Sequence, residues 1–217
     1  MKLLPRRALL LACLALPTLG CQSAPAESRG KAYTLVFLVT GPKSAAIDAD
    51  HKKEIFEGHM ANIRRLADED KLLIAGPFGK EKPDAALRGI FILDTPDVAT
   101  ARAWTETDPG VKAGEFSAEY ATLRTEAVLR RSLDLWREME KKGETTGAPS
   151  IRGYVMVLSS EPTPGTKVCF EGSLEGSKRG RHLAVLDAED VAAVPSVARD
   201  GVASWYSVKT VAEIPGS

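Results

Sequence analysis

Two stretches of this chain read almost alike. LRGIFILDTPDVATA (87–101) is echoed by GRHLAVLDAEDVAAV (180–194), each an apolar run closed by an aspartate and a second, small-residue segment. The echo extends outward. AYTLVFLVTGP (32–42) matches GYVMVLSSEPTPG (153–165), LLIAGPFGKE (72–81) matches KVCFEGSLEG (167–176), and the last strand of the first half matches SWYSVKTVAEI (204–214). Self-similarity of this kind constrains a fold more than composition does, because each copy must repeat one supersecondary unit. A degenerate second copy of one domain is the economical reading, and convergent alternation of β and α segments is the other. The second copy lacks the segment equivalent to residues 44–70, and its DPG turn has become RDG (199–201).

The unit itself is legible in the first half. YTLVFLVT (33–40) is a continuous apolar run, as for a strand covered on both faces. DADHKKEIFEGHMANIRRLADED (48–70) brings Phe56, His59, Ile63 and Leu66 back at helical spacing. KLLIAGPFG (71–79) and LRGIFILD (87–94) are strands, and TPDVATARAWTETD (95–108) is a helix with Thr95 as N-cap and Pro96 at its first position. EFSAEYATLR (115–124) alternates as a half-exposed strand. The order β-α-β-β-α-β is the split βαβ, or ferredoxin-like, arrangement. The fold class is therefore expected to be α+β: one such domain plus a truncated copy, paired as a pseudo-dimeric α/β barrel.

The N-terminus is set apart from the fold. Lys2, Arg6 and Arg7 precede a short apolar core, ALLLACLALPTL (8–19), too short to span a bilayer, which needs about 20 residues. It ends in TLGC (18–21), which resembles the lipobox of bacterial lipoproteins and makes Cys21 the expected lipidation site. A plain secretory signal with an incidental cysteine is the alternative. QSAPAESRGKA (22–32) has tether composition. The expected organisation is a signal over 1–20, a tether over 21–32, a domain over 33–124, a connecting helix and linker over 125–150, and the repeat over 151–217. The expected location is the cell envelope, lipid-anchored on the periplasmic face, with the outer membrane favoured by Gln22.

Without its signal the chain carries 26 basic against 29 acidic residues, a net charge of −3. It has no basic patch with interleaved aromatics, so nucleic acid is not an expected partner. Cys169 in KVCFEG reads as a small buried hydrophobe. No HExxH, CxxC or P-loop is present, and GSLEGSKRG (172–180) lacks the Gly-Lys-Ser/Thr ending of a phosphate loop. No metal, nucleotide, covalent nucleophile or cofactor is expected. In TLRTEAVLRRSLDLWREMEKKG (122–143), Leu129, Leu133 and Trp136 form a helical stripe, expected to pack on the sheet of the second copy with Trp136 as anchor.

His59 is followed 17 and 18 residues on by Gly76-Pro77, Asp108-Pro109 closes a helix carrying Trp104, and Gly114 lies six residues after Asp108. This joint spacing resembles the YciI-like (YCII-related) family of the dimeric α/β-barrel superfamily, over about residues 33–124. The resemblance implies a His-Asp pair, at His59 and Asp108, as a candidate active site, with Gly76, Pro77 and Gly114 lining its pocket. Read from the residues alone, His59 faces the sheet, either as a general base oriented by Asp108 or as a satisfied core histidine. Asp108 serves either chemistry or the turn. Two functions follow. One is a small-molecule enzyme performing elimination, isomerisation or hydrolysis with this pair; the other is a non-catalytic envelope lipoprotein binding a small ligand or a protein. Pairing of the two copies within one chain predicts a monomer, with the two sheets face to face and Val36, Leu38, Val155 and Val157 or their strand neighbours buried between them and the helices.

Overall fold

The computed structural model describes residues 30–145, 150–162, 167–194 and 201–214. The signal, Cys21 and most of the tether lie outside the described residues, as do residues 146–149 of the 143–150 linker. Among the described residues no helix is long and apolar enough to cross a membrane.

The first half runs β1 (Lys31–Thr40), α1 (Ala49–Asp68), β2 (Leu72–Pro77), β3 (Leu87–Leu93), α2 (Val98–Thr105), α3 (Pro109–Ala113) and β4 (Phe116–Thr125). α4 (Arg130–Lys141) leads to the second half: β5 (Ile151–Ser159), β6 (Val168–Glu175), β7 (His182–Leu186) and β8 (Val202–Val208). α2 starts later than expected. Its N-cap is Asp97, whose carboxylate accepts from the backbone N–H groups of Ala99 and Thr100, while Thr95 Oγ1 accepts from Asp97 N. A carboxylate taking two of the orphan helix donors outcompetes a hydroxyl.

Among the described residues, eight strands form one antiparallel sheet in the order β2-β3-β1-β4-β6-β7-β5-β8. Strands β1–β4 stand in the order 2-3-1-4, and β5–β8 stand in the corresponding order 6-7-5-8. The halves therefore join edge to edge, through β4 and β6 (Leu123 opposite Leu174), and not face to face as expected. The sheet curls until its outer edges nearly meet. Phe78 bridges to Trp205, Gly79 N donates to Ser204 O, and Trp205 Nε1 donates to Gly76 O at 3.0 Å.

Curling gives the sheet an inside and an outside, and strand alternation assigns the residues. Tyr33, Leu35 and Phe37 share the interior cluster with Tyr154, Met156 and Leu158. Val36 and Leu38 point outward, to Leu66, Phe91 and Ala101 beneath α1 and α2. Val155 and Val157 belong to a separate outer cluster with Val194 and Val202. The contact between halves is thus made by the strand neighbours of Val36, Leu38, Val155 and Val157, the second of the two sets expected. The interior is sealed at one end by α4. Leu129 and Leu133 enter the interior cluster beside Val211 and Ile214, while Trp136 stays half-buried and anchors nothing deep. Ser132 Oγ and Thr210 Oγ1 meet at 2.9 Å across this seam. α4 is an end plug, not a substitute for a missing outer helix.

Candidate active site

His59, Asn62 and Leu66 are the buried residues of α1, spaced three and four apart on one face. Phe56, expected on the same stripe, is 59% exposed and sits at its rim. α3 comes to this face because Gly58 lets it: a Cβ at Gly58 would lie 3.0 Å from Pro109 Cγ. A mid-helix glycine costs about 1 kcal/mol relative to alanine, so close approach is the reason for it.

Asp108, fully buried, is the N-cap of α3. Its Oδ1 accepts from Gly110 N at 2.8 Å and Val111 N at 3.4 Å. Its Oδ2 lies 2.7 Å from His59 Nδ1 and accepts from Asn62 Nδ2 at 3.3 Å. One side chain therefore shapes the turn and holds the imidazole. With both oxygens engaged by backbone and amide donors, the carboxylate acts as acceptor, so the proton of the short contact sits on His59 Nδ1. In the neutral imidazole the Nε2 lone pair is then left over, and the His59 side chain makes no other hydrogen bond among the described residues. Its ring lies 5.8 Å from Phe91, stacked at 20°, and 5.3 Å from Phe116, edge-on, with Phe56 at 6.4 Å. The His59 side chain keeps 11% of its surface open.

Asn62 is a member of this site that sequence reasoning passed over. Its Oδ1 accepts from Arg65 Nη2 at 2.8 Å and lies 3.0 Å from Thr107 Oγ1, whose one proton is shared with the nearer Trp104 O at 2.6 Å. The guanidinium thus reaches Asp108 through one amide. The signal was present, since Asn62 is a polar residue inside an apolar stripe, three residues after His59.

The glycines and proline expected to line the pocket have contacts of their own. Gly76 serves the closing seam: a Cβ there would lie 1.9 Å from Tyr206 O. Pro77, opposite Gly89, ends β2 and is exposed. Gly114 is the left-handed C-cap of α3 at φ 76°, and its carbonyl accepts from Lys43 N. Two hollows, of about 470 and 450 Å³, lie against α4 and Lys209–Glu213 and around Asp84, Leu158 and Arg179. Neither is lined by His59 or Asp108.

The other histidines are set differently. His51 is exposed beside Asp48 at 2.6 Å, a hydrogen bond that raises its pKa, and belongs to the N-cap of α1. His182 lies on β7, where burial lowers its pKa. Burial pushes the Cys169 thiol up to about 12, leaving a hydrophobe with no thiolate at neutral pH. Among the described residues no group of three or more His, Cys, Asp or Glu side chains could hold a metal ion.

Residues 33–123 match the family model of the YCII-related domain. The match ends within β4 and agrees with the resemblance read from His59, Gly76-Pro77, Asp108 and Gly114. No curated protein and no solved structure matches the chain.

Proposed function

We propose that this is a membrane-tethered, YciI-like protein whose first half is a small-molecule enzyme, with His59 as general base and Asp108 as the group that orients it. The carrying observation is the 2.7 Å contact between His59 Nδ1 and Asp108 Oδ2, which leaves Nε2 as an acceptor in an aromatic surround. Nε2 takes a proton from a bound substrate, and the carboxylate stabilises the imidazolium that forms. Returning that proton to a different atom completes an isomerisation; loss of a leaving group from the resulting carbanion completes an elimination. The second half is read as a degenerate copy, on the echoed sequence and the matching strand order. Only residues 160–167 join β5 to β6, so it has no room for a helix like α1 or a counterpart of His59.

The test is the imidazole ¹⁵N spectrum of His59. The expected form is protonated at Nδ1 and bare at Nε2 in the wild type, with the preference lost in Asp108→Asn. A metabolite thermal-shift screen with His59→Gln as control then seeks the substrate. An Nε2-protonated ring in the wild type would end the general-base reading. The alternative, a non-catalytic envelope lipoprotein, is favoured by the two hollows lying away from the pair. Lipidation at Cys21 is tested by Cys21→Ser, which should release the protein from the membrane fraction; retention with normal maturation overturns the anchor.

A further inference from the structure

Arg88 stands where the pairing of β1 with β3 is irregular. Pairing between β1 and β3 steps from Leu38 opposite Gly89 to Val39 opposite Leu87, so Arg88 is the extra residue of a bulge. Bulges re-aim a side chain while the backbone stays fixed, and here Arg88 O still accepts from Phe78 N at 2.9 Å. The guanidinium sits 5.9 Å from the centroid of Phe116, the ring that meets His59 edge-on.

Its donors are unspent. Arg65, Arg130, Arg137 and Arg179 each reach at least one acceptor within 2.9 Å. Arg88, 44% exposed, has only the Glu115 carboxylate at 3.8 Å, beyond hydrogen-bond range, and makes no side-chain hydrogen bond among the described residues. Glu115 is nearly buried, with Oε2 lacking any partner among the described residues, so its charge is offset mainly by keeping Arg88 near. The fork is held in place by a charge and an aromatic face, with its hydrogen bonds still to be made.

The path from His59 to Arg88 runs along β3. Phe91 stacks on the His59 ring, and Gly89 is the next residue along β3 on the same face, followed by Arg88 at the bulge. Phe56, at 59% exposed, and Met60, at 47%, supply apolar surface along the α1 side.

We propose that Arg88 reads the anionic group of the substrate. The ligand is then a small organic acid with an apolar body: a carboxylate, or another planar oxyanion, on the Arg88 fork, the body against Phe56 and Phe116, and the reacting C–H at His59 Nε2. Guanidinium recognises such groups through two parallel hydrogen bonds, which an ammonium cannot reproduce. This inference rests on His59 being the reactive centre.

Benzoate and its neutral isostere benzamide are the probes, titrated against the full-length protein while the His59 ring resonances are followed. Benzoate is expected to give saturable shifts, with benzamide weaker by about ten-fold or more. Arg88→Lys keeps a charge beside Glu115 and so keeps the fold, yet should weaken benzoate by about ten-fold through loss of the fork. Equal binding of the two probes, no saturable shift with benzoate, or unchanged benzoate affinity in Arg88→Lys each overturn the assignment. The two readings fail separately: the wrong His59 tautomer in ligand-free protein sinks the base, whereas the benzoate-to-benzamide ratio alone sinks the anion site.

Discussion

Asp108 settles how one residue can serve both turn and site. Its two oxygens divide the work, Oδ1 to the α3 N–H groups and Oδ2 to His59 and Asn62. Removing it therefore does more than remove a cap. Losing an N-cap costs about 1 kcal/mol, and leaving a buried donor unsatisfied costs about 1–3 kcal/mol more. Asp108→Ala should lower stability by about 2–4 kcal/mol in urea unfolding, and Asp108→Asn, which retains an oxygen for Gly110 N, by less. A loss near 1 kcal/mol for the alanine variant would reduce Asp108 to a turn residue. The pair itself was legible through the YciI-like spacing of His59, Gly76-Pro77, Asp108 and Gly114; helix periodicity and turn chemistry alone gave a sheet-facing histidine and a turn aspartate. Arg88 was not legible, since a bulge depends on the register of a partner strand and leaves no mark on its own sequence.

The elements show what a pattern can and cannot tell. α4 was readable as an amphipathic helix from Leu129, Leu133 and Trp136, but periodicity names the apolar face without naming what it lands on. The landing is directed by charge. Arg130 grips Asp70 and Asp94 at 2.7 and 2.6 Å, and Arg137 grips Asp70 at 2.8 Å and the Ala67 carbonyl at 2.7 Å. These hydrogen bonds hold the Asp70 carboxyl below its ordinary value of 3.8. For Asp94, burial pushes upward, and Lys31 with Arg130 outweigh it, so its pKa is also lowered. A carboxylate whose folded pKa is depressed contributes stability above its unfolded value and loses it as pH falls through the folded one. The docking of α4 should therefore be intact above about pH 5 and weaken below about pH 4. Thermal melts between pH 6 and 2.5 should show a steeper acid decline for wild type than for Arg130→Gln. Equal slopes would mean these pairs do not couple α4 to the sheet.

At the scale of the whole molecule, the alternation of β and α gave the elements but not how the halves meet. β1 is apolar on both faces, so nothing in YTLVFLVT says whether Val36 or Phe37 turns inward; only closure of the sheet decides it. Closure also bears on the assembly to be expected. Each four-stranded half would by itself expose two edges, and exposed edges recruit other chains. Here β4 is taken by β6, and β2 faces β8 through the Phe78–Trp205 bridge, the Trp205 hydrogen bond to Gly76 O and that of Ser207 Oγ to Ala75 O at 2.7 Å. The α4 helix and the short linker after it hold the halves at an effective concentration of the order of millimolar, well above what a second chain reaches at micromolar protein. The protein should therefore sediment as a monomer at micromolar concentration. The seam also supplies the control. Gly76 has no space for a side chain, its Cβ position lying 1.9 Å from Tyr206 O, so Gly76→Val should force β2 from β8 and expose both edges. The variant is expected to self-associate under conditions where the wild type does not. A stable wild-type dimer, or a Gly76→Val protein that stays monomeric with an unchanged melting temperature, would show that closure within the chain is not what keeps it single.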